Sequence, residues 1–88
     1  MVVWTDYMKY RARLRGFDLA KIEHILRHST ERYSDTVPGR LVIVGRHDNT
    51  LVIIPCEADE TSITPITVHA TTRSQINLRL RTGRLIHE

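Results

Sequence analysis

Arg40-Leu41-Val42-Ile43-Val44-Gly45-Arg46, His47-Asp48-Asn49, Thr50-Leu51-Val52-Ile53-Ile54: two apolar runs rich in β-branched residues stand on either side of three polar turn formers. Valine and isoleucine sit comfortably in an extended backbone, and Asp and Asn tolerate a tight reversal. The stretch therefore predicts a β-hairpin. Its first strand lacks the apolar–polar alternation of a half-exposed strand, which predicts burial on both faces. Pro55 has no amide hydrogen to give to a ladder and is expected to stop regular pairing or to mark an edge.

Working outward, Glu31–Asp35 reads as a short strand and Val37-Pro38-Gly39 as the turn that joins it to the hairpin. Downstream, the polar stretch from Glu57 to Ser62 is a loop. Ile63 to Thr71 then alternates as a last strand, with Ile66, Val68 and Ala70 facing one way and Thr67, His69 and Thr71 the other. Thr5 or Asp6 caps a first helix that runs to about Arg15, with Trp4, Tyr7, Met8 and Leu14 as its apolar stripe and Gly16 as its stop. Asp18 caps a second helix through about His28, whose inner face is Leu19, Ile22 and Leu26. Thr72 and Gln75 form a capping pair for a final helix from about Arg73 to Thr82, ended by Gly83. Ile76 and Leu80 are its sheet-facing residues, while Arg73, Asn77, Arg81 and Arg84 follow helical spacing along another side.

The expected architecture is a single α+β domain over residues 1–88: two N-terminal helices, an antiparallel sheet of about four strands and a short C-terminal helix. At 41% hydrophobic and 26% charged residues, the chain has the composition of a folded domain rather than a disordered tail. Cys56 stands alone, which excludes an intramolecular disulfide and a multi-cysteine zinc site. Without a basic leader or a membrane-length apolar run, a cytoplasmic, membrane-free location is expected. Eleven of the thirteen basic residues are arginine. Residues 1–30 carry six basic and three acidic side chains, residues 31–64 three and six, and residues 65–88 four and one. Positive ends rich in flat guanidinium forks suit an anionic partner; surface salt bridges are the plainer reading.

Three stretches carry a family likeness: Lys9 through Leu26, where a helix ends in Arg15-Gly16-Phe17 and the next opens on Asp18; Arg32-Tyr33-Ser34-Asp35 leading to Gly39-Arg40 and the apolar strand; and Ile66 to Arg73, a strand passing straight into a short helix. In this order of elements the chain resembles the RelE/ParE-like toxin superfamily, and within it the small BrnT-like branch. The last strand carries His69-Ala70 where that branch tends to show an arginine. The resemblance implies a type II toxin: a metal-independent ribonuclease that inhibits translation and is neutralised by a cognate antitoxin protein. No cofactor is implied.

Metal-free RNA cleavage needs a base for the 2′-hydroxyl, donors for the charge that develops on phosphorus oxygens, and an acid for the leaving oxygen. His69, Arg73, Arg46 and Lys9 are the candidate catalytic residues, with His69 and Arg73 expected to converge where the last strand hands over to the final helix. Arg11, Arg13, Asn77 and Arg81 are the candidate RNA-binding residues, since a backbone track requires only clustered positive charge and donors. Each has a plainer reading, as a strand histidine held by neighbouring threonines or as a solvated charge. His24 and His28 share a helix side at metal-compatible spacing, but the order Glu23-His24-x-x-x-His28 is not that of zinc proteases, and no metal is expected. Cys56 reads as a buried small hydrophobe. Trp4, Tyr7, Tyr10 and Tyr33 read as core or rim, with base stacking as the alternative. Two other functional classes remain open: a non-catalytic protein- or nucleic-acid-binding module on the same fold, and a helix-turn-helix over residues 5–29.

Overall fold

Residues 1–87 are described by a computed structural model. Thr5 accepts the Met8 amide and opens helix α1 (Asp6–Leu14), and Asp18 accepts the amides of Ala20 and Lys21 to open α2 (Leu19–His28). Strands β1 (Glu31–Asp35), β2 (Arg40–His47) and β3 (Thr50–Ala58) follow as a meander. The reversal between β2 and β3 is tighter than the sequence suggests. His47 pairs with Thr50, so only Asp48 and Asn49 form the turn, with Asp48 at φ 54°.

β3 does not stop at Pro55. Its outer edge receives β4 (Ile63–Pro65) and β5 (His69–Ala70), both antiparallel. The expected single strand from Ile63 to Thr71 is thus broken in two. Cys56 faces Pro65 while Ile53 faces His69, so the outer strand spends one residue more than β3 over the same span, which defines a β-bulge around Ile66 and Thr67. The Pro55 carbonyl accepts the Ile66 amide at 2.8 Å. In a strand a residue's N–H and C=O point to the same side, so the missing N–H of Pro55 faces the bulge and costs the β2 ladder nothing. Of the three residues expected to share a face, Val68 enters the core, Ile66 is half-buried in the bulge and Ala70 is exposed at the edge.

Among the described residues the sheet has six strands rather than about four, in the order β4-β3-β2-β1-β6 with β5 beside β4 on β3. The unforeseen β6 (Leu85–His87) follows α3 (Arg73–Arg81) and pairs with β1. At the opposite margin, Val2 bridges Ile63 in parallel. Neither segment carries a long apolar run, so neither announces itself in the sequence.

Helices cover both faces. On one, Met8 and Ala12 of α1 and Ile22, Ile25 and Leu26 of α2 pack on Ile43, Val52, Ile54, Cys56 and Val68. The α1 stripe is therefore Trp4, Met8 and Ala12; Tyr7 and Leu14, expected inside, are 58% and 62% exposed. Gly45 lets α2 approach, because a Cβ there would lie 2.5 Å from Ile25 Cγ2. On the other face, Ile76 and Leu80 of α3 meet Tyr33, Val42, Val44, Ile53 and Leu85. Among the described residues no helix is long and apolar enough to cross a membrane.

Candidate functional site

A groove of about 590 Å³ opens between β5 and one flank of α3, lined by His69, Ala70, Gln75, Leu78, Arg79, Thr82 and Arg84. Residues 75, 78, 79 and 82 follow i, i+3, i+4, i+7 spacing, so they form one stripe of the helix next to the buried Ile76–Leu80 stripe. The end of α3 sets the arginines. Gly83, at φ 76°, gives its amide to the Leu80 carbonyl, and the Arg84 amide goes to the Arg79 carbonyl at 2.9 Å. This paired closure of the helix end folds Arg84 back over the last turns, beside Arg79.

His69 forms the groove's β-side wall. Arg15, at the C-terminal end of α1, donates to the Val68 carbonyl at 3.0 Å and also contacts Nδ1 of His69. A guanidinium has only donors, so Nδ1 accepts and the imidazole proton sits on Nε2. Partial burial, followed by the charges of Arg15, Arg11 and Arg79, holds the His69 pKa below its ordinary value. The neutral form of the ring is accordingly favoured. The Arg11 guanidinium stands 5.8 Å from the Tyr7 ring, and its buried Nε has no hydrogen-bond partner among the described residues. Among the described residues no acidic side chain lines the groove.

The other predicted residues are dispersed. Arg73 does not line the groove; both arms of its guanidinium hold the Glu31 carboxylate, which also accepts the Tyr33 hydroxyl at 2.6 Å. The Arg73 contact, with a smaller share from Tyr33, holds Glu31 below the usual carboxylate range, and burial followed by Glu31 raises Tyr33. The expected His69–Arg73 convergence does not form, because the first turn of α3 points Arg73 toward β1. Arg46 is exposed and borders a separate shallow pocket with His24, His28 and Ser29. Lys9, Arg13, Asn77 and Arg81 lie outside the groove lining, Lys9 half-buried and the others exposed. Of the predicted set, only His69 lines the groove among the described residues, and Arg11 acts on it through its charge. Arg15, Arg79, Arg84 and Gln75 join them unforeseen, although the Arg79-x-x-x-Gly83-Arg84 spacing carries the signal of a helix end that pairs its arginines.

His24 and His28 have ring centroids 4.6 Å apart, and among the described residues no group of three metal-ligating side chains occurs. Cys56 is buried, with its thiol pushed up to about 12 by burial, which makes it a poor nucleophile. The Trp4 indole donates to Glu23 at 3.0 Å, whereas Tyr7 and Tyr10 stand exposed on α1. In charge and shape the groove suits a phosphodiester: Gln75, Arg79, Thr82 and Arg84 supply donors along the α3 wall, and the His69 imidazole faces them from β5. No family model, curated protein or solved structure matches the chain.

Proposed function

We propose that this chain binds RNA in the His69 groove and cleaves it without a metal ion, as a type II toxin that inhibits translation and is neutralised by a cognate antitoxin. The observation that carries this reading is a histidine that shares the groove with Arg79 and Arg84, touches Arg15 and feels the charge of Arg11, with no carboxylate among the described residues that line the groove. The resemblance of the sequence to the RelE/ParE-like toxins supports the same reading. Clustered guanidinium groups also suit an acidic segment of an antitoxin that folds on binding.

A phosphate entering the groove competes with His69 for the donors of Arg15. Once Arg15 turns to a phosphate oxygen, the Nδ1 lone pair is free to take the proton of the 2′-hydroxyl as its oxygen attacks phosphorus. Arg79 and Arg84 face the oxygens on which negative charge grows. The imidazolium then returns the proton to the departing 5′-oxygen, leaving a 2′,3′-cyclic phosphate and a 5′-hydroxyl.

A second reading, a binding module without turnover, is favoured by the Arg15 contact that occupies Nδ1. The two separate on incubating RNA with the protein in the presence of a metal chelator. Cleavage that falls about a hundredfold or more in His69→Ala, with RNA binding retained, supports the ribonuclease. Salt-dependent binding with intact RNA identifies the binding module, and cleavage undiminished in His69→Ala removes the proposed base.

A further inference from the structure

Arg79 and Arg84 have two sides. One lines the His69 groove, and the other lines a second recess of about 350 Å³ that continues across the same sheet face between Asp35, Thr36, Val42, Pro55 and Leu85. Val42 and Pro55 are register partners on β2 and β3, and Leu85 of β6 pairs with Asp35 of β1, so the floor is apolar and built on the sheet itself. α3 leaves it uncovered because the helix is nine residues long and buries only one of them fully, Ile76. The rim is polar. Oδ1 of Asp35 accepts the Thr36 amide at 2.6 Å and the Thr36 hydroxyl at 3.2 Å, which orients the carboxylate. Among the described residues Oδ2 has no partner, and neither Arg79 nor Arg84 forms an ion pair with Asp35.

We infer that this recess is a nucleobase subsite that selects guanine in single-stranded RNA, placed one step along the strand from the phosphate held in the His69 groove. The inference rests on the RNA reading above. An apolar floor with flat guanidinium groups on one wall takes the face of a base, by stacking rather than by pairing. A carboxylate on the rim accepts hydrogen bonds and donates none. Guanine alone among the four bases presents a ring N–H and an amino group side by side on its pairing edge; adenine and cytosine offer an acceptor beside their amino group, and uracil flanks its N–H with two carbonyls. Arg79 and Arg84, shared by the two recesses, hold the bridging phosphate. A base inside a duplex has its pairing edge occupied, so the substrate is single-stranded.

The test measures binding of labelled hexauridylate and of the same hexamer with one central guanosine, at low salt and with chelator present. The guanosine hexamer is expected to bind about tenfold tighter, the lower range of discrimination by paired hydrogen bonds to a base. Asp35→Asn, which keeps an acceptor for Thr36, removes the difference in affinity between the guanosine hexamer and hexauridylate. Inosine in place of guanosine removes the amino donor without altering the protein and recovers only part of the preference. Equal binding of all three hexamers by the unaltered chain overturns the guanine subsite while the phosphate groove stands. Binding of none of them overturns the RNA reading and this inference together.

Discussion

The two faces of the sheet are covered to different depths. The face under α1 and α2 buries ten core residues in one cluster, whereas the face under α3 buries six, with only Ile76 contributed by the helix. A hairpin of two helices closes its face. A single short helix leaves the margins of the other face open, and Arg79, Arg84, His69 and both recesses lie there. Stability is concentrated on one side and accessible chemistry on the other, because side chains that must meet a ligand cannot also be sealed in a core.

The sharpest break of this contrast is a pair of truncations. Ile54→Ala, on the closed face, leaves a cavity between sheet and helices and is expected to lower unfolding stability by about 2–5 kcal/mol, and Leu80→Ala, half-buried under α3, by about 1 kcal/mol. Denaturant unfolding reads both, and equal losses would show that α3 is as tightly packed as the helical hairpin.

Acid titration then separates the two ends of the open face. His69 and Glu31 both have folded pKa values below their ordinary ones, 6.5 and 4.5, so in each case the unfolded chain binds the proton more readily and stability falls as pH falls. The His69 contribution is complete above about pH 6.5 and is lost below it through the folded pKa. The Glu31 contribution, held by Arg73, persists until about pH 4.5 and is lost below that. His69→Asn is expected to remove the first decline and Glu31→Gln to reduce the second, which Glu23, Asp48 and Asp59 share, by at most about 1 kcal/mol. Thermal unfolding across pH 3 to 8 checks this, and a first decline that survives His69→Asn assigns it to another group.

The smallest effect is a slope. Arg79→Ala removes one phosphate contact, so the logarithmic dependence of RNA affinity on salt is expected to become shallower by about one unit, with folding stability unchanged. An unchanged slope places Arg79 outside the phosphate track.

Local rules account for most of the elements. Thr5, Asp18 and Thr72 cap the three helices where side-chain oxygens precede helical spacing, and the β2–β3 hairpin follows from β-branched runs around Asp48 and Asn49. Those signals are encoded within a few residues of where they act. The bulge opposite Pro55, the return of Leu85–His87 to β1 and the Val2 bridge are not encoded so, since each depends on a partner distant in the chain. The site divides in the same way. His69 and Arg11 were legible as residue types near the ends of their elements, but Arg73 and Arg79 lie six residues apart on one helix and meet opposite fates, one against Glu31 and the other in the groove.

The sequence by itself determined the three helices and the central hairpin, the burial of β2 on both faces, and the gathering of arginine toward the two ends of the chain. Only the tertiary structure decided which arginines surround His69. Helical periodicity places Ile76 and Leu80 inward but leaves both flanks of α3 equivalent, and the flank that meets β5 is chosen by how the helix docks on the sheet, a choice made by packing between segments far apart in sequence.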